Sequence, residues 1–144
     1  MQVSVIGAGS CDPGLERIAE RLGELLAERG CVIINGGKGG VMEAVSRGAR
    51  RKNGLVVGVL PDMSDGNDFL SVRLKTNMGH ARNVIIAQSG DVVIAVGGGY
   101  GTVSEMAIAL KVGKKVVAIK PPVVLPGVEV AETAEEAVEK ALKL

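Results

Sequence analysis

The sequence predicts a single α/β domain with a mainly parallel sheet of about six strands and helices on both faces. Three observations predict it. Short runs rich in Val and Ile alternate with helix-patterned segments along the chain, the rhythm of a parallel sheet with right-handed crossovers. The composition is 47% hydrophobic but 1% aromatic, so the core must be Val, Ile, Leu and Ala, as in a sheet buried on both sides. The 144 residues suffice for one proper core, and no linker or low-complexity tract divides them.

Val3 to Ile6 reads as a buried strand running into "GAGSCDP", where Asp12 is a good N-cap and Pro13 a good first helical residue. Leu15, Ile18, Leu22, Leu25 and Leu26 recur at helical spacing opposite a charged side, and Gly30 closes the helix. The strand "CVIIN" enters "GGKGG", after which Val41, Ala44, Val45, Gly48 and Ala49 mark one face of a second helix. "LVVGVLP" is a third strand. Residues 62–70 are polar and contain glycine, which predicts a mobile loop. "SVRLKT" forms a short fourth strand, and Met78 to Ser89 a third helix capped by Asn77. "DVVIAV" is followed by a helix from Thr102 to Val112, then by the strand "KKVVAI". Pro121, Pro122 and Pro126 make the next segment irregular and extended. "TAEEAVEKALKL" carries Ala134, Ala137, Val138 and Leu142 on one helical side.

Several function classes drop out. The formal net charge of +1 provides no strong field to recruit nucleic acid or an anionic membrane. Cys11 and Cys31 have neither metal-site spacing nor the density of a secreted disulfide scaffold, so no metal is expected. The start "MQVSVIGAGS" lacks the pattern of a signal peptide, and no apolar run reaches ~18 residues. A cytoplasmic protein is the default expectation.

The strand-to-helix loops hold Gly7 and Gly9, Gly36, Gly37, Gly39 and Gly40, and Gly97, Gly98, Gly99 and Gly101: ten of the 21 glycines. In a parallel sheet these loops share the carboxyl edge, where open α/β folds bind ligands. Bare backbone lets N–H groups approach an anion, and the following helix N-terminus adds partial positive charge. Residues 1–144 are therefore read as one domain whose partner is a phosphorylated small molecule. Two stock patterns fail. "GAGSCD" has Asp12 where the dinucleotide fingerprint wants glycine, and "NGGKGG" lacks the Gly-Lys-Ser/Thr of a Walker A loop. The single histidine, His80, leaves no Ser-His-Asp set to pursue.

The stretches "INGGKGGVMEAVSRGAR" and "MGHARNVIIAQSGDVVIAVGGGYGTVSE" resemble the LOG superfamily of Rossmann-like proteins, and within it the branch similar to molybdenum cofactor carrier proteins. "GGGYGTVSE" is similar to the superfamily's "PGGxGTxxE". In hydrolytic members that glutamate and an arginine in "MxxRK" act on nucleoside 5′-monophosphates and release the base. The resemblance places these catalytic residues at Glu105 and Arg82. Together with the glycine-loop reading it gives expected ligand contacts at Gly9, Gly36, Gly37, Gly39, Gly40, Gly98, Gly99, Tyr100, Gly101 and Thr102. Gly97 stands where the hydrolases have proline, Asn83 where they have lysine, and Met78 one residue further from the arginine. The resemblance thus implies a binder or carrier of a nucleoside monophosphate or of the molybdenum cofactor, with a phosphoribohydrolase as the alternative. It also implies a homo-oligomer, dimer or tetramer, for which the exposed side of the Val103–Leu110 helix could serve.

Plainer roles stand beside these. Thr102-Val-Ser-Glu105 has the pattern of a capping box. Arg82 near a helix start is disfavoured by the helix dipole unless an anion, phosphate or Glu105, faces it; a solvated arginine is the plain alternative. Tyr100 is placed to stack on a base or to meet another subunit, and Lys38 to touch phosphate or only solvent. Cys11 reads as a small filler and His80 as polar surface.

Overall fold

The computed structural model describes residues 1–143. Seven strands form one sheet: β1 (Gln2–Gly7), β2 (Val32–Asn35), β3 (Val56–Leu60), β4 (Val72–Lys75), β5 (Val92–Val96), β6 (Lys115–Ile119) and β7 (Glu129–Ala131). Their order is β4-β3-β2-β1-β5-β6-β7, and every pairing is parallel. The expected sheet is therefore present with one strand more. β7 lies in the segment read as irregular, because three residues beyond the prolines pair with Val117–Ile119 at the sheet edge. A strand that short has no alternation to read.

The helices are α1 (Pro13–Glu28), α2 (Val41–Arg51), α3 (Arg82–Ser89), α4 (Tyr100–Lys111) and α5 (Ala134–Leu142). α1, α2 and α5 pack with one face of the sheet, around Val3, Val5, Ile33, Ile94 and Val117. α3 and α4 pack with the other, around Ile6, Ile34, Val93, Ala95 and Val116. Central strands buried on both sides explain why the apolar runs lack alternation. The one polar residue inside β1, Ser4, donates to the carbonyl of Ile86 at 2.6 Å and so is satisfied.

α1 and α2 meet through glycine. A Cβ on Gly48 would stand 2.8 Å from the carbonyl carbon of Glu20, and one on Gly23 2.9 Å from the nitrogen of Ala49. β1 and β2 pair directly, so the loops after them lie side by side, with Val41 N–H donating to Ala8 O. The loop at 62–70 is tied down rather than loose. Asn67 donates its backbone N–H to Gly37 O at 2.8 Å and its amide to Lys38 O at 2.9 Å, while Leu70 is buried. No helix among the described residues is long and apolar enough to cross a membrane.

Two helix starts differ from expectation. Asn77 has φ +52° and caps nothing; a short 3-10 turn (Gly79–Ala81) leads into α3, which makes Arg82 its first residue. α4 starts at Tyr100, two residues early, with Gly99 as its N-cap.

Candidate functional site

Successive strands run outward from β1 in one direction and from β5 in the other, so the loops after these two neighbours part. Such a switch point is where open parallel sheets hold ligands. A cleft of about 340 Å³ occupies it. Val5, Ile6, Gly7 and Gly9 form one wall, Gly36 and Met42 a second. His80, Arg82, Asn83 and Ile86 come from the approach to α3 and its first turns, and Gly99, Gly101, Thr102 and Glu105 from α4.

The three glycine-rich loops are not equivalent. After β1, Asp12 accepts from the N–H of Leu15 at 2.8 Å, so α1 closes its own N-terminus with a carboxylate. After β2, α2 has no side-chain cap, but the N–H of Val41 donates to Ala8 O at 2.9 Å. After β5, Gly99 caps α4 with no side chain at all, and the amides of that first turn stay open.

Gly99 has φ −135°, and Gly101 is likewise outside the left-handed region. A Cβ on either of them, or on Gly9, would meet no atom within 4 Å. Neither backbone conformation nor packing requires glycine there; what glycine does is keep the cleft open beside unpaired amides. Gly97 and Gly98 differ, with φ +60° and +121°, and Gly98 packs on the Thr102 side chain.

The residues expected to hold ligand therefore divide. Gly9, Gly36, Gly99, Gly101 and Thr102 line the cleft; Gly37, Gly39, Gly40, Gly98 and Tyr100 do not. Gly37 packs under Leu60 and donates to Asn35 Oδ1 at 2.7 Å, and Gly40 is where its loop crosses the backbone of Ala8 and Gly9. Gly39 faces a separate hollow with Lys38, Asp65 and Asn67. Tyr100 is 96% exposed, outside the cleft. Lys38 is also away from it, paired with Asp62 at 2.7 Å and bonded to Ser64 at 2.9 Å. Cys11 is half-buried against the core, and its thiol pKa is raised by burial and then by Glu16 and Asp12, which fits a filler.

Arg82 reaches the cleft from the first residue of α3. Its guanidinium lies against Gly36, Nη1 donates to Asn83 Oδ1, and Nε is buried with no partner. Burial lowers its pKa, opposed by the charges of Glu105 and Asp62. Glu105 faces it from the second turn of α4 and is 8% exposed. Burial pushes its carboxyl up to about 7, with Arg82 pulling the other way. Among the described residues the two close no ion pair, and Glu105 accepts no hydrogen bond. The capping-box reading of Thr102 and Glu105 is thus corrected: α4 has already begun, and Glu105 belongs to the cleft. The same pattern does cap α5, where Thr133 Oγ1 accepts from Glu136 N at 3.1 Å and Glu136 reaches back to Glu132 N at 3.0 Å.

Sequence reading missed Met42, half-buried at the cleft, because it carries the pattern of ordinary core; Val5, Ile6 and Ile86 underlie the cleft and are buried core. His80, read as surface, is exposed yet borders the cleft.

The model of the SLOG cluster4 family matches residues 1–143. An uncharacterised protein of Archaeoglobus fulgidus is 63% identical over 139 residues, 96% of this chain and 92% of its own. The structure of a molybdenum cofactor binding protein from Rippkaea orientalis superposes with a TM-score of 0.91 at 36% identity, over 96% of this chain and 93% of that one. The molybdenum cofactor carrier protein of Chlamydomonas reinhardtii gives 0.88 at 32% identity, over 96% and 94%. A probable cytokinin riboside 5′-monophosphate phosphoribohydrolase from rice is 38% identical over 94 residues, 61% of this chain. That match spans only 38% of the rice protein.

Proposed function

The chain belongs to the SLOG cluster4 family of the LOG-like superfamily, on the side of the molybdenum cofactor carriers, and from that premise we propose that its cleft binds a phosphorylated nucleotide or nucleotide-like cofactor and carries it unchanged. One observation carries the reading. Gly99 and Gly101 open onto the cleft beside the uncapped first turn of α4, although neither fold nor backbone requires glycine there. The unpaired amides and the helix dipole suit a phosphate at that point. Arg82 supplies the balancing cation, its guanidinium lying at the cleft beside Gly36. Met42, half-buried at the cleft, offers an apolar surface to a flat ring. Were the molybdenum cofactor the cargo, these residues would grip its phosphate and ring. Among the described residues no group of His, Cys, Asp and Glu is placed to ligate a metal.

A second reading has one specific support, the unpaired Glu105 facing Arg82 across the cleft. In a phosphoribohydrolase, Arg82 would hold the 5′-phosphate while ionised Glu105 steadied positive charge on the ribose as the N-glycosidic bond broke. Water would then add to the sugar, giving free base and ribose 5-phosphate.

Two measurements separate the readings. Native mass spectrometry of gently purified protein shows what co-purifies and in what assembly. Prolonged incubation with AMP, followed chromatographically, shows whether adenine is released. A carrier returns AMP intact; release that disappears in Glu105→Gln would establish the hydrolase instead.

A further inference from the structure

Resting on the binding reading above, and going beyond it, we propose that the cleft takes up its anionic ligand together with one proton, received by Glu105, and releases the ligand as the pH rises. The argument is one of charge and enclosure. Glu105 is buried, only 8% exposed, and its carboxyl opens on the cleft without accepting a hydrogen bond from any described residue. Gly101 and Glu105 are one turn apart on the same face of α4, so an anion at the open amides sits roughly 6 Å above that carboxyl.

The charged and titratable groups that face Glu105 are few. Arg82 faces it from the start of α3, His80 from the preceding turn, and Asp62 lies beyond Arg82 in the loop after β3. The β1 wall and the Gly36–Met42 wall contribute no charge. A dianion and a carboxylate together bring three negative charges. Against them stand one guanidinium and the ~0.5 charge of a helix N-terminus, with His80 exposed at the rim. Desolvation by the ligand strengthens that imbalance, and protonating the carboxylate relieves it. One proton leaves the buffer and binds a carboxylate oxygen, which leaves the carboxyl neutral below the anion. Burial already holds the free carboxyl near neutrality, so the proton is accessible at ordinary pH.

The test is titration calorimetry with sodium sulfate, a dianion that does not itself titrate near neutrality, in two buffers of different ionisation enthalpy. At about pH 8 the wild type should take up close to one proton per sulfate. Its apparent Kd should rise by about tenfold per pH unit above 7. Glu105→Gln, which preserves shape, should bind sulfate with no proton uptake and with little pH dependence. His80→Asn should keep the uptake. Sulfate binding by the wild type without buffer-dependent heat overturns the proposal. Uptake that survives Glu105→Gln, or that vanishes in His80→Asn, overturns it too. Absence of sulfate binding at any pH removes the anion site itself, and the binding reading with it.

Discussion

The guanidinium of Arg82 lies across the bare Cα of Gly36: a Cβ built there would stand 2.9 Å from its Nη2 and 2.7 Å from Sδ of Met42. Gly36 has no positive φ, so its lack of a side chain serves that contact rather than the backbone. Gly36→Ala should therefore push the flexible ends of Arg82 and Met42 aside. Unfolding free energy should change by no more than about 1 kcal/mol, while affinity for a 5′-monophosphate falls about tenfold as Arg82 loses its position. Denaturation and calorimetry on one preparation check both halves. A large loss of stability with unchanged affinity would show the contact to be packing alone.

Gly101→Ala is the complementary test at α4. The added methyl meets nothing within 4 Å, and alanine suits a helix better than glycine. Stability without ligand should hold or rise by roughly 0.5–1 kcal/mol. Phosphate-bearing ligand should bind more weakly, because the methyl stands between it and the open amides. Unaltered affinity in this variant would remove the first turn of α4 from the binding site.

Arg82→Ala separates phosphate from the rest of the ligand. A charge-assisted hydrogen bond is worth roughly 1.5–3 kcal/mol, so monophosphate affinity should fall about ten- to a hundredfold. The matching nucleoside should bind as before. Ligand-free stability should stay level or rise slightly, since a half-buried cation with an unpartnered Nε leaves a helix N-terminus. Equal losses for the two ligands would end the phosphate role of Arg82.

Glu105 predicts a pH dependence of stability. Burial raises its folded pKa to about 7 from the ordinary glutamate value of 4.5, so between these values the native state binds more protons than the unfolded chain. Its contribution is full below about pH 4.5 and is lost as pH rises through 7. Glu105→Gln removes that loss. The variant's advantage should be small near pH 4.5 and grow to the order of 3 kcal/mol above pH 7, read from urea unfolding across the range. An advantage independent of pH would mean that the carboxyl is not the titrating group.

The strands were legible because buried parallel β-structure demands Val- and Ile-rich runs, and β1, β2, β3, β5 and β6 obey it. β7 was not legible, since three edge residues form a strand only because Val117–Ile119 stand beside them. The pattern Thr-x-x-Glu shows the limit most sharply. At Thr133 it caps α5, and at Thr102 it does not, because Gly99 has already opened α4 and turned Glu105 into the cleft. Nothing local distinguishes the two.

By itself the sequence determined the parallel α/β architecture, the gathering of glycine loops at one edge, and Arg82 and Glu105 as the pair to watch. The first two follow from apolar periodicity and chain direction, which are local or topological properties; Arg82 and Glu105 follow from the resemblance to the LOG superfamily. Only the tertiary structure decided which glycines face the cleft and which serve packing, that α4 starts two residues early at an uncapped Gly99, and that Lys38 pairs with Asp62. It also decided that Glu105 is buried opposite Arg82 without a partner. The physical reason is that accessibility, desolvation and the pairing of charges depend on residues far apart in the chain, and no spacing within it encodes them.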